Sequence, residues 1–393
     1  MKKISWHYPH LKYWMGGTKF LYEVAIRINK KSSVDIITNS GQRWVISQFT
    51  KNQINVFTTT GPFYPNPFFF WFLFPVMFIW DTIKTYFYIK KSNILVATLF
   101  PSNLTMALLS LLTNKPYFYY CYEPYPYFHN REFINSHGTL LRVFIKITAL
   151  IYKQLDLWAA KRATKIFTLN NIMQKAVYRI YHKHSVVTYM GVDTNLFKKY
   201  SNNKINRRYK KNLLIVHSTD YTPAKKTDLA IAAIKKLVVK FPNILLLITS
   251  TLPDSPNKQR YQKIINQNHL NNNVRLLGLV SSNDLPLFYS AAICYLSCSD
   301  DKMLGTTSSN LPVKEAMACA TPAIRVNITD EDIEDSVSGF LVEPNDIDAT
   351  AKKIKFLIEY PKKRLLMGEK GRQKIIKLYN WDKVTQKIIS CLN

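Results

Sequence analysis

Apolar positions in this chain follow two rhythms in turn. Short continuous runs, bounded by polar turns, predict buried strands, and runs repeating every three to four positions predict helices. Residues 3–8 form the first run, followed by a loop with Gly16-Gly17. From Thr18 to Asn29, Phe20, Val24 and Ile28 share one helical face, and Val34-Asp35-Ile36-Ile37-Thr38 is the next strand. Strand, glycine turn, helix and strand in that order begin an α/β domain with a parallel sheet. The series continues with strands at Asn93–Phe100, Pro116–Cys121, Lys165–Leu169 and from Ser185, and with helices over about 102–113, 139–162 and 171–181. A basic stretch holding Lys198, Lys199, Lys204, Arg207, Arg208, Lys210 and Lys211 then interrupts the pattern. A second series opens at Asn212-Leu213-Leu214-Ile215-Val216-His217. It runs through a helix at 226–240, strands at Ile244–Thr249 and Val274–Leu277, a helix at 283–290 and a strand at Ile293–Ser297. Strand Gly339–Val342, helix 346–358 and a last helix after Trp381 complete it. The pattern predicts a first domain over 1–200, a linker over 201–211, a second domain over 212–378 and a terminal helix over 379–393.

One stretch fits neither rhythm. No charged residue occurs from Gln53 to Trp80, and Pro67–Trp80 is densely aromatic, with Pro75 interrupting it. The dense part is shorter than the roughly 20 residues a spanning helix needs. Asp81, Lys84 and Lys90-Lys91 follow directly. A buried domain helix, a helix lying in a membrane interface and a true span all remain open, and the aromatic-then-basic order is what an interfacial anchor over 67–91 requires.

Two further stretches carry candidate chemistry. Tyr122-Glu123-Pro124-Tyr125-Pro126-Tyr127-Phe128-His129 follows the strand ending at Cys121, on the side of a parallel sheet where ligands bind. Ser308-Ser309-Asn310-Leu311-Pro312 leads into the helix of Glu315 and Ala316-Met317-Ala318, with Thr321-Pro322 as its stop. A helix opening this way offers free N–H groups to a phosphate, and it is equally the ordinary start of an α/β helix.

Charge narrows the partners. There are 54 Lys and Arg against 25 Asp and Glu in 393 residues, a net charge of +29. Such an excess suits an anionic partner, namely phosphorylated substrates or anionic lipid. The lysines are spread along the chain with no nucleic-acid motif, so nucleic acid is not expected. The five cysteines, at 121, 294, 298, 319 and 391, show no Cys-x-x-Cys pair and no zinc spacing, which predicts buried thiols in a reducing compartment. His7, His10 and Lys12 fall too early for an apolar signal core.

Taken together, these pieces resemble the family-4 type, nucleotide-sugar-dependent glycosyltransferases of the GT-B fold. The resemblance rests on Gly16-Gly17, on Gly191-Val192-Asp193-Thr194-Asn195-Leu196-Phe197 and on Pro223-Ala224-Lys225-Lys226-Thr227-Asp228. It continues through Val274–Gly278, Glu315-Ala316-Met317-Ala318-Cys319-Ala320-Thr321-Pro322, Ser338-Gly339-Phe340-Leu341-Val342 and Asn380-Trp381. The resemblance implies two Rossmann-like, doubly wound α/β domains facing a cleft, with the C-terminal helix crossing back to the N-terminal, acceptor-side domain. It implies a retaining, metal-independent hexosyltransferase, and the aromatic stretch Phe68–Trp80 with the net charge adds the expectation of a place at the cytoplasmic membrane face. The enzyme would take no cofactor, a UDP- or GDP-linked sugar as co-substrate, and a glycan or polyprenyl-linked acceptor. By the same resemblance Glu315 binds the donor ribose, and Lys225, aided by Lys226, contacts the diphosphate. Gly16 and Gly17 close over the phosphates, and Ser309, Asn310 and Leu311 hold the donor through backbone amides. A lysine and a helix dipole stabilise the charge that accumulates on a departing diphosphate.

The chain also departs from the family's pattern. Thr307 occupies the place of the first glutamate of the usual pair, with Asp300 and Asp301 upstream as candidate substitutes. Asp220 stands where an arginine is usual, Tyr122 stands where a histidine is usual with Glu123 after it, and Asn327-Ile328 replaces a glycine pair. Tyr122, Glu123 and Thr307 are therefore the candidate catalytic residues. The alternative is a catalytically weakened nucleotide-sugar- or glycan-binding protein of the same fold.

Overall fold

The structure, a computed structural model, describes residues 2–14, 16–59, 67–135, 137–250, 256–299, 311–327 and 331–392. The described chain forms two units, one running through Met190 and resuming at Trp381, the other running from Gly191 to Asn380.

The first unit contains β1 (Lys3–Leu11), α1 (Gly16–Asn29), β2 (Ser33–Gly41), α2 (Arg43–Thr50), β3 (Asn55–Thr58) and α3 (Pro67–Ile89). Next come β4 (Ile94–Thr98), α4 (Ser102–Thr113), β5 (Tyr117–Tyr120), α5 (Pro126–His129), α6 (Arg131–Asn135) and α7 (Thr139–Arg162). β6 (Lys165–Thr168), α8 (Asn171–Tyr181) and β7 (Ser185–Val187) follow. The sheet runs β3-β2-β1-β4-β5-β6-β7 with every pair parallel, so the winding reverses between β1 and β4. Helices cover both faces, which is why its strands are nearly continuous apolar runs such as Ile94-Leu95-Val96-Ala97.

Two local expectations are corrected here. The Gly16-Gly17 pair opens α1 itself rather than lying in a loop before it. A Cβ on Gly17 would stand 2.7 Å from Tyr8 Oη and 2.9 Å from the Tyr122 ring, so the first helical turn presses against two tyrosines. The aromatic stretch is a single helix of 23 residues that continues through Pro75. Its inner face supplies the reason, because Trp71 and Phe74 are locked among Phe100, Phe128 and Tyr152.

That inner face ends in a buried carboxylate. Asp81 accepts hydrogen bonds from Asn39 Nδ2 at 2.6 Å, Thr59 Oγ1 at 2.7 Å and Thr105 Oγ1 at 2.9 Å, and His7 Nε2 lies 3.2 Å away. His7 is fixed in turn by Ser102 Oγ at 2.6 Å. Burial pushes the Asp81 carboxyl up, but His7, Thr59 and Thr105 outweigh it and hold the group below its ordinary range. One side chain thus ties α3 to β1, β2 and α4. The outward face of α3 is different: Phe72, Val76, Ile79, Ile83 and Phe87 are exposed, as are Leu140, Ile147, Leu150 and Ile151 on α7. The two helices touch where Trp71 stacks on Tyr152, 5.1 Å between ring centres. Among the described residues no helix is long and apolar enough to cross a membrane.

The second unit contains α9 (Lys204–Arg208), β8 (Leu213–Thr219), α10 (Thr227–Val238), β9 (Ile244–Ser250), α11 (Pro256–Gln267) and β10 (Val274–Leu279). α12 (Leu285–Ala291), β11 (Cys294–Ser297), α13 (Leu311–Ala318), β12 (Ala323–Val326), β13 (Gly339–Val342), α14 (Ile347–Glu359) and α15 (Pro361–Leu378) complete it. Its six strands run β10-β9-β8-β11-β12-β13, again all parallel, with the reversal between β8 and β11. The basic stretch 201–211 is seated on this unit. Asn203 caps α9 and donates to Leu287 O, Ile205 and Tyr209 are buried, and Lys204 pairs with Asp284 at 2.6 Å.

The last helix, α16 (Trp381–Leu392), packs on α1 of the first unit, as expected for a helix that crosses back. Trp381 meets Phe20 edge to face at 5.6 Å, and Arg27 reaches Asp382 at 2.8 Å.

Asp81→Ala leaves His7, Asn39, Thr59 and Thr105 around an empty, buried site. Breaking a buried charged network from one side costs about 3–5 kcal/mol. Urea unfolding of the variant is expected to show a loss of that size, and a midpoint matching wild type would contradict the role given to Asp81.

Candidate functional site

In a parallel sheet whose order reverses, the loops leaving two adjacent strands diverge, and the gap beyond their C-terminal ends is the natural ligand crevice. In the second unit this places the loops after β8 and β11 together. β8 leads through Asp220-Tyr221-Thr222 into a single 3-10 turn, Pro223–Lys225, and Lys226 then takes a left-handed conformation, φ 49°, before α10 begins. Lys225 and Lys226, both partly exposed, are therefore at the ligand end of the sheet. Asp220 Oδ1 accepts from Thr222 N at 2.9 Å and Thr222 Oγ1 at 2.6 Å, so the residue in the arginine's usual place fastens its own turn.

Beneath the loop lies His217. Its Nδ1 donates to Leu296 O at 2.9 Å, which leaves Nε2 to accept, and Thr227 Oγ1 stands 3.1 Å from it. Burial lowers this imidazole to about 4, so it is neutral at ordinary pH and stitches β8 to β11 and to the first turn of α10. Glu315, in the second turn of α13, is only 4% exposed. It faces Tyr289 and Tyr295, whose phenols burial pushes up and whose ionisation the Glu315 charge opposes further. Leu311 opens α13, whereas Thr307, Ser309 and Asn310, with Asp300 and Asp301, lie outside the described residues. A larger cavity of this unit, 660 Å³ between β13, α14 and α15, borders none of these residues.

In the first unit the reversal brings together the loops after β1 and β4, with the β5 loop beside them. Tyr122 is buried and donates from its hydroxyl to Gly17 O at 3.1 Å, so these two expected site residues brace each other. Among the described residues Gly16 has room around it: a Cβ there would stand 4.0 Å from the Met190 methyl. Glu123 faces a cavity of 290 Å³ bounded by Pro9 and His10 at the C-terminal end of β1, Asn39, Leu99–Pro101 after β4, Tyr125–Tyr127, and the inner face of α3. The Glu123 side chain is partly exposed as a whole, yet Oε2 is enclosed and has no hydrogen-bond partner among the described residues. Burial pushes this carboxyl up to about 8. Leu99 turns the chain at φ 62°, a costly conformation for a bulky residue, where β4 ends at the cavity wall.

Sequence reasoning identifies Glu123 but misses the α3 contribution to this cavity. The signal is present in Trp71, Phe74 and Phe78, three aromatic positions at helical spacing, but the apolar density of the whole stretch leaves a buried domain helix and a membrane helix both open.

Two parallel-sheet α/β units with a returning C-terminal helix define the GT-B fold. Residues 199–374 match the family model "Glycosyl transferases group 1". Across its whole length the chain superposes on Anabaena HepE solved with UDP, with a TM-score of 0.79, 16% identity and 99% of that chain covered. A glycosyltransferase from Rickettsia africae gives 0.78 at 17% identity and 98% coverage. The chain thus resembles the group 1 glycosyl transferases, in sequence over the second unit and in fold throughout. Among curated relatives, the MMP alpha-(1->4)-mannosyltransferase of Mycolicibacterium hassiacum is 25% identical over 204 residues, 51% of this chain and 46% of that protein. The O-antigen chain mannosyltransferase B of Escherichia coli is 29% identical over 117 residues, 30% of this chain and 29% of that protein. The chain spans less than half the length of the curated relatives it matches.

The enclosed Glu123 carboxyl gives folding a definite pH dependence. With its pKa raised from 4.5 to about 8, the folded state keeps a proton that the unfolded chain releases, so its contribution is full below pH 4.5 and is lost as pH rises through 8. Glu123→Gln removes this term. Unfolding at pH 5, 7 and 9 is expected to show wild type losing stability relative to the variant across that window, and parallel profiles would contradict an enclosed carboxyl.

Proposed function

We propose that this protein is a glycosyltransferase that moves a hexose from a UDP- or GDP-linked sugar to a glycan or lipid-linked acceptor, with retention of configuration. The observation that carries the reading is the Lys225-Lys226 turn at the ligand end of β8, within the segment that matches the family model. In this reading the second unit holds the donor. Lys225 and Lys226 balance the charge that builds on the diphosphate as the glycosidic bond breaks, in the place a metal ion would otherwise take. Glu315 accepts hydrogen bonds from the ribose, and the amides of Ser309, Asn310 and Leu311 hold the phosphates. The leaving phosphate itself takes the acceptor proton on the face it departs from, so no second carboxylate is required for retention. The first unit receives the acceptor. The named activity of the two curated relatives, transfer of mannose, supports a hexose as the group moved.

The test is turnover of UDP- and GDP-sugars with EDTA present, with product anomers assigned by NMR. Lys225→Ala and Glu315→Ala are each expected to reduce kcat/KM roughly ten- to a hundredfold, the cost of a lost charge-assisted hydrogen bond. Near-wild-type kinetics in both variants would remove the site assignment. Tight binding of a nucleotide sugar without turnover on any acceptor would favour the alternative, a binding protein, to which Thr307 and Asp220 point.

In the same reading the protein sits at the cytoplasmic membrane face. The support is the outward apolar side of α3 and α7 together with Lys90 and Lys91 at the end of α3, the pairing of aromatic surface and basic residues that suits an anionic bilayer interface. Flotation with anionic liposomes is expected to carry the wild type upward, while Phe72→Glu with Ile79→Glu stays at the bottom. A wild type that stays at the bottom at low salt would contradict membrane docking.

A further inference from the structure

The cavity of the first unit has a composition that discriminates between acceptor chemistries. Its walls are aromatic: Trp71, Phe74, Phe100, Tyr125 and Tyr127 surround it. Its acidic and basic groups are two carboxyls and an imidazole. Among the described residues no lysine or arginine lines it, in a chain that carries 54 of them. The two carboxyls are not equivalent. Asp81 already has its oxygens occupied by Asn39, Thr59, Thr105 and His7, so it belongs to the scaffold. Glu123 Oε2 is enclosed with no partner among the described residues. His10 adds no positive charge, because burial, and Lys12 after it, hold its imidazole below the usual range.

Each class of occupant meets these walls differently. A phosphate would enter a site with carboxyls and no cationic donor, the reverse of what anion recognition requires. A hydrocarbon chain would satisfy the rings but leave the buried Glu123 oxygen unpaired. A pyranose ring presents a C–H face, which packs on aromatic faces, and an edge of hydroxyls, which a carboxyl can bind as acceptor or, when protonated, as donor. The cavity volume, 290 Å³, is at the lower end for small-molecule sites and suits a ligand of that size. Its position beyond the C-terminal ends of β1 and β4, where the winding reverses, is where such a ligand is expected.

We propose that this cavity is the subsite for a neutral sugar ring of the acceptor, held by Glu123 through its hydroxyls and by Tyr125 and Tyr127 through its C–H face. The acceptor that enters the first unit therefore ends in an uncharged saccharide, and not in a phosphate or polyol phosphate. The word acceptor rests on the glycosyltransferase reading above, but the sugar subsite itself does not.

The experiment is saturation-transfer NMR on the full chain with methyl glycosides of glucose, mannose, galactose and N-acetylglucosamine, and with glycerol 3-phosphate as the charged probe. At least one neutral glycoside is expected to bind and glycerol 3-phosphate is not. Glu123→Gln, close in shape, and Tyr127→Ala, at a partly exposed wall, are each expected to weaken that glycoside roughly tenfold, the order of a hydrogen bond lost with its partner left unsatisfied or of a lost ring contact. Thermal melts establish that each variant is folded, and one folded variant suffices. Binding of glycerol 3-phosphate in place of the glycosides, binding of none of the neutral glycosides, or glycoside binding indifferent to both variants overturns the proposal. Nucleotide-sugar turnover in the same samples separates the two readings. Turnover without a neutral-sugar site leaves the enzyme and removes the subsite, and a Glu123-dependent sugar site without turnover does the opposite.

Discussion

The constraint on which the molecule depends is the reversal of winding in a parallel sheet. In each unit the chain lays strands outward to one side, returns to the middle and lays the rest on the other side. The two loops at the reversal cannot cover each other, because each follows its own helix away from the shared edge. The Lys225-Lys226 turn stands at that edge in the second unit, and the Glu123 cavity stands at it in the first. Neither site needs an irregular fold to make room for it. Close packing beneath each edge fixes the loops, through His217 under the lysine turn and through Gly17, Tyr8 and Tyr122 beside the cavity.

The two carboxylates of the first-unit cavity show how environment separates structure from recognition. Asp81 and Glu123 line the same space, yet one is held below its ordinary range by hydrogen bonds and His7 and the other is pushed up to about 8 by burial alone. A satisfied carboxylate stabilises the fold and has little capacity left for a ligand. A carboxyl oxygen enclosed with no partner among the described residues, as Glu123 Oε2 is, costs stability that a hydrogen-bonding ligand would return. α3 carries both consequences along one helix, since its inner face holds Asp81 and the aromatic wall while its outer face presents apolar side chains.

Much of this is legible in the sequence because parallel α/β domains announce themselves locally. Runs such as Asn93–Phe100 and Ile244–Thr249 have no alternative use, and the start of β12 at Ala323 follows from Thr321-Pro322. The aromatic stretch is harder. Local apolar density cannot separate a ring facing a cavity from one facing outward, and only the packing shows that Trp71 is buried while Phe72 is exposed. Pro75 misleads in the same way, since its preference for ending a helix is outweighed by the packing of Trp71 and Phe74 on the inner face of the same helix. The basic stretch 201–211 has the composition of a linker, but Ile205 and Tyr209, only two apolar side chains, anchor it to the second unit.

The central claim is that the β8 edge of the second unit binds a nucleotide-diphosphate sugar through Lys225. Ligand that binds only the folded chain raises the melting temperature with its concentration, so a thermal-shift titration with a panel of UDP- and GDP-sugars tests it most directly. A saturable increase is predicted with at least one of them in the wild type, together with its loss in Lys225→Ala. No shift with any nucleotide sugar, or the same shift in the variant, would contradict the claim.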